Sequence, residues 1–184
     1  MNKSVIVGVA LAVCAALYLF YQIDLPLRGS SEDLRTYQSE AFGFSFSYPN
    51  RYILTEQEVG NGERTHYSVV LTRPEDLPLA ENSEGPATIT VDVYQNNLDR
   101  LPLLEWLTGT SFSNFKLSDG TYAPVTVSGT DAVRYHWSGL YEANTVAFLR
   151  GDFIISFSGM YLAPEDQIVS DFESAVSSIR FLEQ

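Results

Sequence analysis

The sequence predicts an α+β domain built on an antiparallel sheet. From residue 37 onward the chain contains a series of short segments in which apolar and polar side chains alternate, as in strands with two unlike faces. Gly, Pro, Asn and Asp separate many of these segments, and the separations are typical of hairpins. Helical patterns are few. Strands in hairpin runs with few helices are characteristic of the α+β class.

The clearest strand pattern comes first, at residues 42–48. Aromatic side chains take every second position and small ones the positions between, in the order Phe42, Gly43, Phe44, Ser45, Phe46, Ser47 and Tyr48. Pro49 ends the segment, because proline cannot donate a hydrogen bond to a strand ladder. The pattern predicts a core strand whose aromatic face meets a covering layer.

The middle of the chain adds three weaker strands and one short helix. The strand predictions cover residues 52–59, 66–72 and 87–95. The helix lies between Pro102, which suits the first helical position, and Gly109, which suits the end.

The second half is predicted to contain further hairpins and a closing helix. The strand patterns cover residues 124–127, 132–139, 145–149 and 153–157, and the last two flank the turn at residues 150–152. That hairpin is apolar on both faces, which predicts a sheet covered on both sides. The final helix begins at Pro164, and its apolar residues recur at helical spacing.

Composition restricts the partners. The chain has 184 residues, enough for about one domain of ordinary size. Its formal net charge is −12 at pH 7. A field of that sign repels phosphate backbones, so we expect no nucleic-acid partner.

The N-terminal segment predicts a membrane anchor. Residues 4–21 contain no charged side chain, and at about 1.5 Å per residue they span roughly 27 Å, close to the thickness of a bilayer core. Lys3 favours a cytoplasmic N-terminus. We therefore expect a single-pass anchor at residues 1–23, a linker at 24–36, and an extracytoplasmic domain at 37–184.

Two other fates of this segment stay open. A cleaved signal peptide has a shorter apolar core and a cleavage site with small residues, whereas here the apolar run continues past Ala16 to Phe20. A bacterial lipoprotein is the second alternative, because residues 11–14 resemble a lipobox ending in Cys14, the only cysteine. Val13 stands where that pattern has a small residue.

Three segments together resemble the PsbP-like fold family, named for the P subunit of the photosystem oxygen-evolving complex. They are residues 42–49, residues 127–134, and residues 172–181 in the closing helix. The family often has a Trp after the proline, and here Tyr52 stands nearby. The resemblance implies an antiparallel sheet covered by helices on both faces, an α/β/α sandwich, in a membrane-anchored bacterial version. It also implies an accessory domain that binds other proteins and has no chemistry of its own.

The sequence offers few residues for catalysis or metal binding. The only histidines are His66 and His136. If they converged with a carboxylate such as Asp92, a zinc site would be chemically possible. Strand parity places both histidines away from the aromatic faces of their own strands, and no motif joins them. We expect no enzyme activity, no cofactor and no metal.

The least ordinary polar feature is an acidic loop at residues 73–86. Its candidate interaction residues are Glu75, Asp76, Glu81 and Glu84. Such a loop can contact a basic partner or hold a weakly bound calcium ion. The sequence thus predicts a membrane-anchored extracytoplasmic domain that binds another envelope protein without catalysis. The alternative is a small-ligand or metal-binding domain with a pocket near His136 or this loop.

Overall fold

A computed structural model describes residues 33–60, 65–78, 84–96 and 100–183. The chain divides into two units, Met1–Asp33 and Leu34–Gln184, and the description below concerns the second. The predicted anchor at residues 1–23, and residues 24–32 of the predicted linker, lie outside the described residues. Within the described ranges, no helix is long and apolar enough to cross a membrane.

The described residues form strands and two α-helices joined by short loops. Their bounds are β1 Leu34–Ser39, β2 Phe44–Pro49, β3 Ile53–Glu58, β4 His66–Thr72, β5 Ile89–Gln95, α1 Leu103–Gly109, β6 Ala123–Val127, β7 Thr130–Ser138, β8 Glu142–Arg150, β9 Phe153–Tyr161, α2 Gln167–Ser177 and β10 Arg180–Phe181. Single 3₁₀ turns lie at Pro74–Asp76 and Phe115–Leu117.

All strand pairs are antiparallel, as the sequence predicted. A seven-stranded sheet has the order β3-β4-β5-β9-β8-β7-β6, and a three-stranded sheet has the order β1-β2-β10. The hairpin predictions correspond to neighbouring pairs in the large sheet, and β8 and β9 lie near its middle. The central strand β9 is buried on both faces along most of its length, because different layers cover the two sides.

The first face of the large sheet packs against the small sheet and α2. Phe44 and Phe46 on β2 make edge-to-face contacts with Phe157 on β9, with ring centroids 6.1 and 5.2 Å apart. Both β2 side chains are buried. The aromatic stripe that the sequence placed in a core strand therefore meets a covering layer, and that layer is the large sheet itself.

Helix α2 lies very close to the first face at one glycine. A Cβ atom added to Gly159 on β9 would lie 2.7 Å from both the Cβ and the Cγ of Phe172. Real Cβ atoms do not approach so closely, so only glycine permits this packing distance. Phe172 is fully buried there.

Polar contacts fix the same helix laterally. Asp171 is 4% exposed, and its Oδ2 accepts a hydrogen bond from the Tyr52 hydroxyl at 2.6 Å and another from Arg51. Burial, followed by the bond to Asp171, raises the pKa of Tyr52. Farther along the helix, Glu173 binds both terminal nitrogens of Arg134 at 2.6 and 2.8 Å. These bonds hold α2 to the loop after β2 and to β7.

The second face is covered by α1 over one part of the sheet. Trp106 and Leu107 on α1 and Phe115 in the following 3₁₀ turn pack with side chains of β7, β8 and β9, including Tyr135 and Trp137. Helices thus lie on both faces, but the layers differ from an α/β/α sandwich, because β1, β2 and β10 form part of the first layer. A helix of 11 residues such as α2 is about 16 Å long, whereas seven strands extend across about 29 Å.

The contact between Gly159 and Phe172 gives a stability prediction. Gly159→Ala forces α2 away from the sheet, and overpacking of this kind costs roughly 1–3 kcal/mol in the free energy of unfolding, measured by urea denaturation. Gly109→Ala in α1 is the control, because a Cβ there would meet no atom within 4 Å. Equal stabilities of the two variants would contradict the close packing of α2.

Candidate functional site

Beside α1, a groove of about 540 Å³ crosses the second face of the large sheet. Its lining comes from β3, β4, β5 and β9, from the segment that leads into β5, and from the region of the turn between β7 and β8. The groove therefore lies on the same face as α1, on the opposite side of the sheet from α2.

Short side chains form the floor of the groove. Strand register aligns them in two rows across the strands: Ser68, Asp92 and Ser156 in one, and Val70, Thr90 and Ser158 in the next. The side chains between them along the same strands, such as Val69, Val91 and Phe157, point to the first face and are fully buried. Strand alternation thus gives these strands a large apolar face and a low face rich in hydroxyl groups.

Larger side chains stand on either side of the two rows. On one side, the His66 ring stacks on the Tyr94 ring, with centroids 4.3 Å apart. On the other side lie Met160 and Trp137, and both line the groove. The Tyr141 hydroxyl donates a hydrogen bond to the Gly85 carbonyl at 2.6 Å and so joins the β7–β8 turn to the segment before β5. The depression is bounded because only the middle rows are short.

One histidine–carboxylate pair faces the groove. His66 Nε2 lies 2.8 Å from Asp92 Oδ1, and the two side chains are 21% and 20% exposed. Burial, followed by the charges of Asp92 and Tyr135, raises the pKa of the adjacent Tyr94. In the part of the chain described, no hydrogen bond joins the His66 ring to a serine or threonine hydroxyl.

The charge of the groove is acidic to neutral. Glu84 and Asp92 supply carboxylates, and His66 is its only basic side chain among the described residues that line it. None of those residues is Lys or Arg. An anionic ligand would meet no permanent positive charge there, whereas a cation would meet two carboxylates.

The acidic loop predicted from the sequence is not gathered at one place. Glu75 and Asp76 lie near Arg73, at 3.9 and 2.9 Å from its Nε. Glu84 lines the groove. Glu81 lies outside the described residues.

The two histidines lie on opposite faces of the large sheet. His66 shares the groove face, whereas His136 lies on the face of Arg134, which binds helix α2. His136 Nε2 instead approaches Glu142 at 2.8 Å. No cluster of three or more potential metal-binding side chains occurs within residues 33–60, 65–78, 84–96 and 100–183. The zinc arrangement that would have needed both histidines with Asp92 is not formed.

Sequence reasoning did not find the groove, although a signal for it exists. Small hydroxyl residues alternate with large apolar ones in three strands that become neighbours, at Ser68, Thr88, Thr90, Ser156 and Ser158. Each strand alone has the ordinary pattern of a half-buried strand. Only the register, which brings the short positions into common rows, turns that pattern into a groove.

The architecture defines this domain as an α+β protein with a PsbP-like fold. It is similar to the solution structure of cyanobacterial PsbP (CyanoP) from Synechocystis sp. PCC 6803, with a TM-score of 0.55. The two share 14% identity, and the alignment covers 85% of this chain and 98% of that one. At this identity the similarity establishes the fold alone.

A second similar structure is a crystal structure from Bacteroides thetaiotaomicron VPI-5482. It aligns with a TM-score of 0.46 and 12% identity over 82% of this chain and 49% of that one, and nothing is inferred from it. No protein-family model matches the chain. No curated protein shows significant sequence similarity to it.

The raised pKa of Tyr94 predicts how stability depends on alkaline pH. An ordinary tyrosine has a pKa of about 10, so the folded state holds the Tyr94 proton more tightly than the unfolded state. Its contribution is complete below about pH 10 and is lost as the pH rises toward the folded pKa. Tyr94→Phe should change stability by less than about 1 kcal/mol at pH 7, because the Tyr94 hydroxyl makes only a long bond of 3.4 Å to the Phe112 carbonyl.

Above pH 10 the variant should lose stability less steeply than the wild-type chain. Urea unfolding from pH 7 to pH 12 measures the difference. Other buried tyrosines such as Tyr52 and Tyr135 also have a raised pKa, so the slope should become shallower without vanishing. Superimposable curves above pH 10 would show that Tyr94 is not shielded from water.

Proposed function

We propose that this chain is a membrane-anchored, extracytoplasmic binding domain without catalytic activity. It holds another envelope protein against the second face of its large sheet. The observation that carries the proposal is the groove, together with the exposed apolar side chains around it. The first face of the same sheet is occupied by the chain's own small sheet and α2.

The rim of the groove supports a protein partner. Val59 and Leu140 line the groove and are 51% and 59% exposed. Leu117 is half exposed, and one of its methyl groups comes within 3.8 Å of the place a Cβ on Gly139 would occupy, next to Leu140. Such exposed apolar groups gain about 25 cal/mol per Å² when a partner covers them. An apolar rim around a partly polar depression is typical of protein interaction sites.

The anchored, extracytoplasmic location is supported by the sequence. Residues 4–21 are uncharged and long enough to span a bilayer, and Lys3 precedes them. The linker that follows lets the domain reach a neighbour in the same membrane. The expected partner is therefore another envelope protein rather than a nucleic acid, which the negative charge disfavours.

The absence of catalysis is supported by the surroundings of His66. A catalytic histidine normally contacts the nucleophile it activates, and His66 is hydrogen-bonded to a carboxylate instead. The resemblance to PsbP-like domains, which now has the fold behind it, implies the same accessory role.

A small-molecule site is the alternative. The volume of the groove lies within the usual range of about 300–1,000 Å³ for ligand pockets, and its floor carries hydroxyl groups. In that case Leu140 would not be protected or crosslinked by a protein in the native membrane. The experiment below separates the two functions.

Cysteine-directed crosslinking in intact cells tests both the location and the surface. Leu140→Cys and Leu34→Cys, each in a Cys14→Ala background, are treated with a maleimide photocrosslinker that does not cross the cytoplasmic membrane. The two leucines are a matched pair, because Leu140 at the groove is 59% exposed and Leu34 on β1 is 62% exposed. We expect both cysteines to react, and only Cys at position 140 to form a discrete adduct with one envelope protein.

Each other outcome has a defined meaning. If neither cysteine reacts until the cells are lysed, the extracytoplasmic location is wrong. If both positions give the same set of adducts, the groove face is not the binding surface. If position 140 reacts but forms no protein adduct, the small-molecule alternative replaces the protein partner.

A further inference from the structure

We propose that the groove receives an arginine side chain from an extended segment of the partner, with the guanidinium placed against Asp92. This inference rests on the proposed function, because it specifies which chemical group of the partner protein the groove selects. It is argued from the charge of the groove, the position of Asp92, and the hydrogen-bonding groups around it.

Charge selects a cation. Glu84 and Asp92 face the groove, and no Lys or Arg is found among the described residues that line it. The chain as a whole carries a net charge of −12, so the surrounding field has the same sign. A cation entering the groove is attracted at long range by the field and at short range by the two carboxylates.

Asp92 is the charged group in the lowest part of the groove. Register places it between Ser68 and Ser156 in one of the two rows of short side chains. Among the described residues, its Oδ1 is bonded to His66 and its Oδ2 has no hydrogen bond. With the side chain 20% exposed, the carboxylate is reachable from the groove yet partly shielded from water, which strengthens its attraction for a cation.

The surrounding groups suit a guanidinium better than an ammonium ion. A guanidinium presents five N–H donors in one plane, and the floor presents acceptors in the Asp92 carboxylate and in the hydroxyl of Thr90. The stacked rings of His66 and Tyr94 form the adjacent wall, and the planar arginine head stacks well on aromatic rings. A lysine ammonium ion would use the charge alone.

An extended segment fits because the groove runs across the strands from the sheet edge. β3 is an edge strand, and its Gln57 side chain and the following Val59 line the groove. A chain crossing there would cover Val59 with its own apolar side chains while one arginine reaches inward to Asp92. Affinity then comes from the rim and selectivity from the carboxylate.

A pair of isosteric peptides tests the inference directly. The probe is a fluorescein-labelled Ser-Val-Arg-Val-Ser amide, and its control has citrulline, which keeps the shape of arginine without the charge. Fluorescence anisotropy with the full chain measures both affinities. A hydrogen bond between charged groups contributes about 1.5–3 kcal/mol, so the arginine peptide should bind at least about tenfold more tightly.

Charge-matched variants locate the contact. Asp92→Asn should remove most of the preference for arginine over citrulline, whereas Asp131→Asn should keep it. Asp131 is exposed and does not line the groove, and both substitutions change the net charge equally. If Asp92→Asn fails to fold, Thr90→Met serves instead, because it fills the floor and retains the carboxylate, with Thr90→Val as its size-matched control.

Three results would overturn the inference. These are equal binding of the arginine and citrulline peptides, an equal loss in Asp92→Asn and Asp131→Asn, and displacement of the arginine peptide by spermidine at lower concentrations than by unlabelled arginine peptide. In the last case the groove prefers a free polyamine. A selective protein adduct at position 140 combined with any of these results would leave the proposed function intact and reject only the role of arginine.

Discussion

The structure depends on the unequal faces of three adjacent strands, β4, β5 and β9. Their first-face positions carry large apolar side chains, including Val69, Val91 and Phe157, which form the main core. Their second-face positions carry Ser68, Thr90 and Ser158, which fill far less space. Because side chains alternate along a strand, every position that enlarges the core on one face leaves its neighbours to shape the other.

The first face is closed by contacts that leave little freedom. The close approach of Phe172 to Gly159 seats α2 on the sheet, and the buried Asp171 joins the helix to Tyr52. Truncating one member of such a buried polar pair typically costs several kcal/mol, because the remaining member loses its partner. The core and these bonds together give the sheet a rigid backing. The groove on its opposite face is therefore formed by a firm surface rather than by loops alone.

The second face combines the features of a binding surface. α1 and the 3₁₀ turn cover Tyr135 and Trp137, and their edge becomes one side of the groove. His66 and Asp92 supply polar groups on the floor and wall, while Val59 and Leu140 supply apolar atoms at the rim. A polar floor selects a ligand and an apolar rim holds it, so both requirements of recognition are met within one depression.

Much of the fold was predictable from the sequence because local patterns determine it. The segment 66–72 was predicted as a strand and is β4, and the helix between Pro102 and Gly109 is α1 at Leu103–Gly109. β1 was not predicted, because only Tyr37 in it is buried and no alternation results. Its strand conformation comes from pairing with β2, which is a tertiary effect. β10 has only two residues and is likewise fixed by its pairing with β2.

The candidate site was much less predictable than the fold. Strand parity correctly placed His66 and His136 away from the aromatics of their own strands, but it cannot say which strand faces point to the same side. That depends on the sheet order, which puts the two histidines on opposite faces. Similarly, Glu84 reaches the groove while Glu75 and Asp76 remain beside Arg73, and nothing in the loop's composition distinguishes them.

The most direct test of the account uses one methyl group. The chain has two methionines, Met1 and Met160, and Met160 lines the groove. In the full chain labelled with ¹³C at the methionine methyl groups, the Met160 signal should shift or broaden when the purified partner from the position-140 adduct is added. The Met1 signal serves as an internal reference. An unchanged Met160 signal at saturating partner would contradict the assignment of the second face of the sheet as the binding surface.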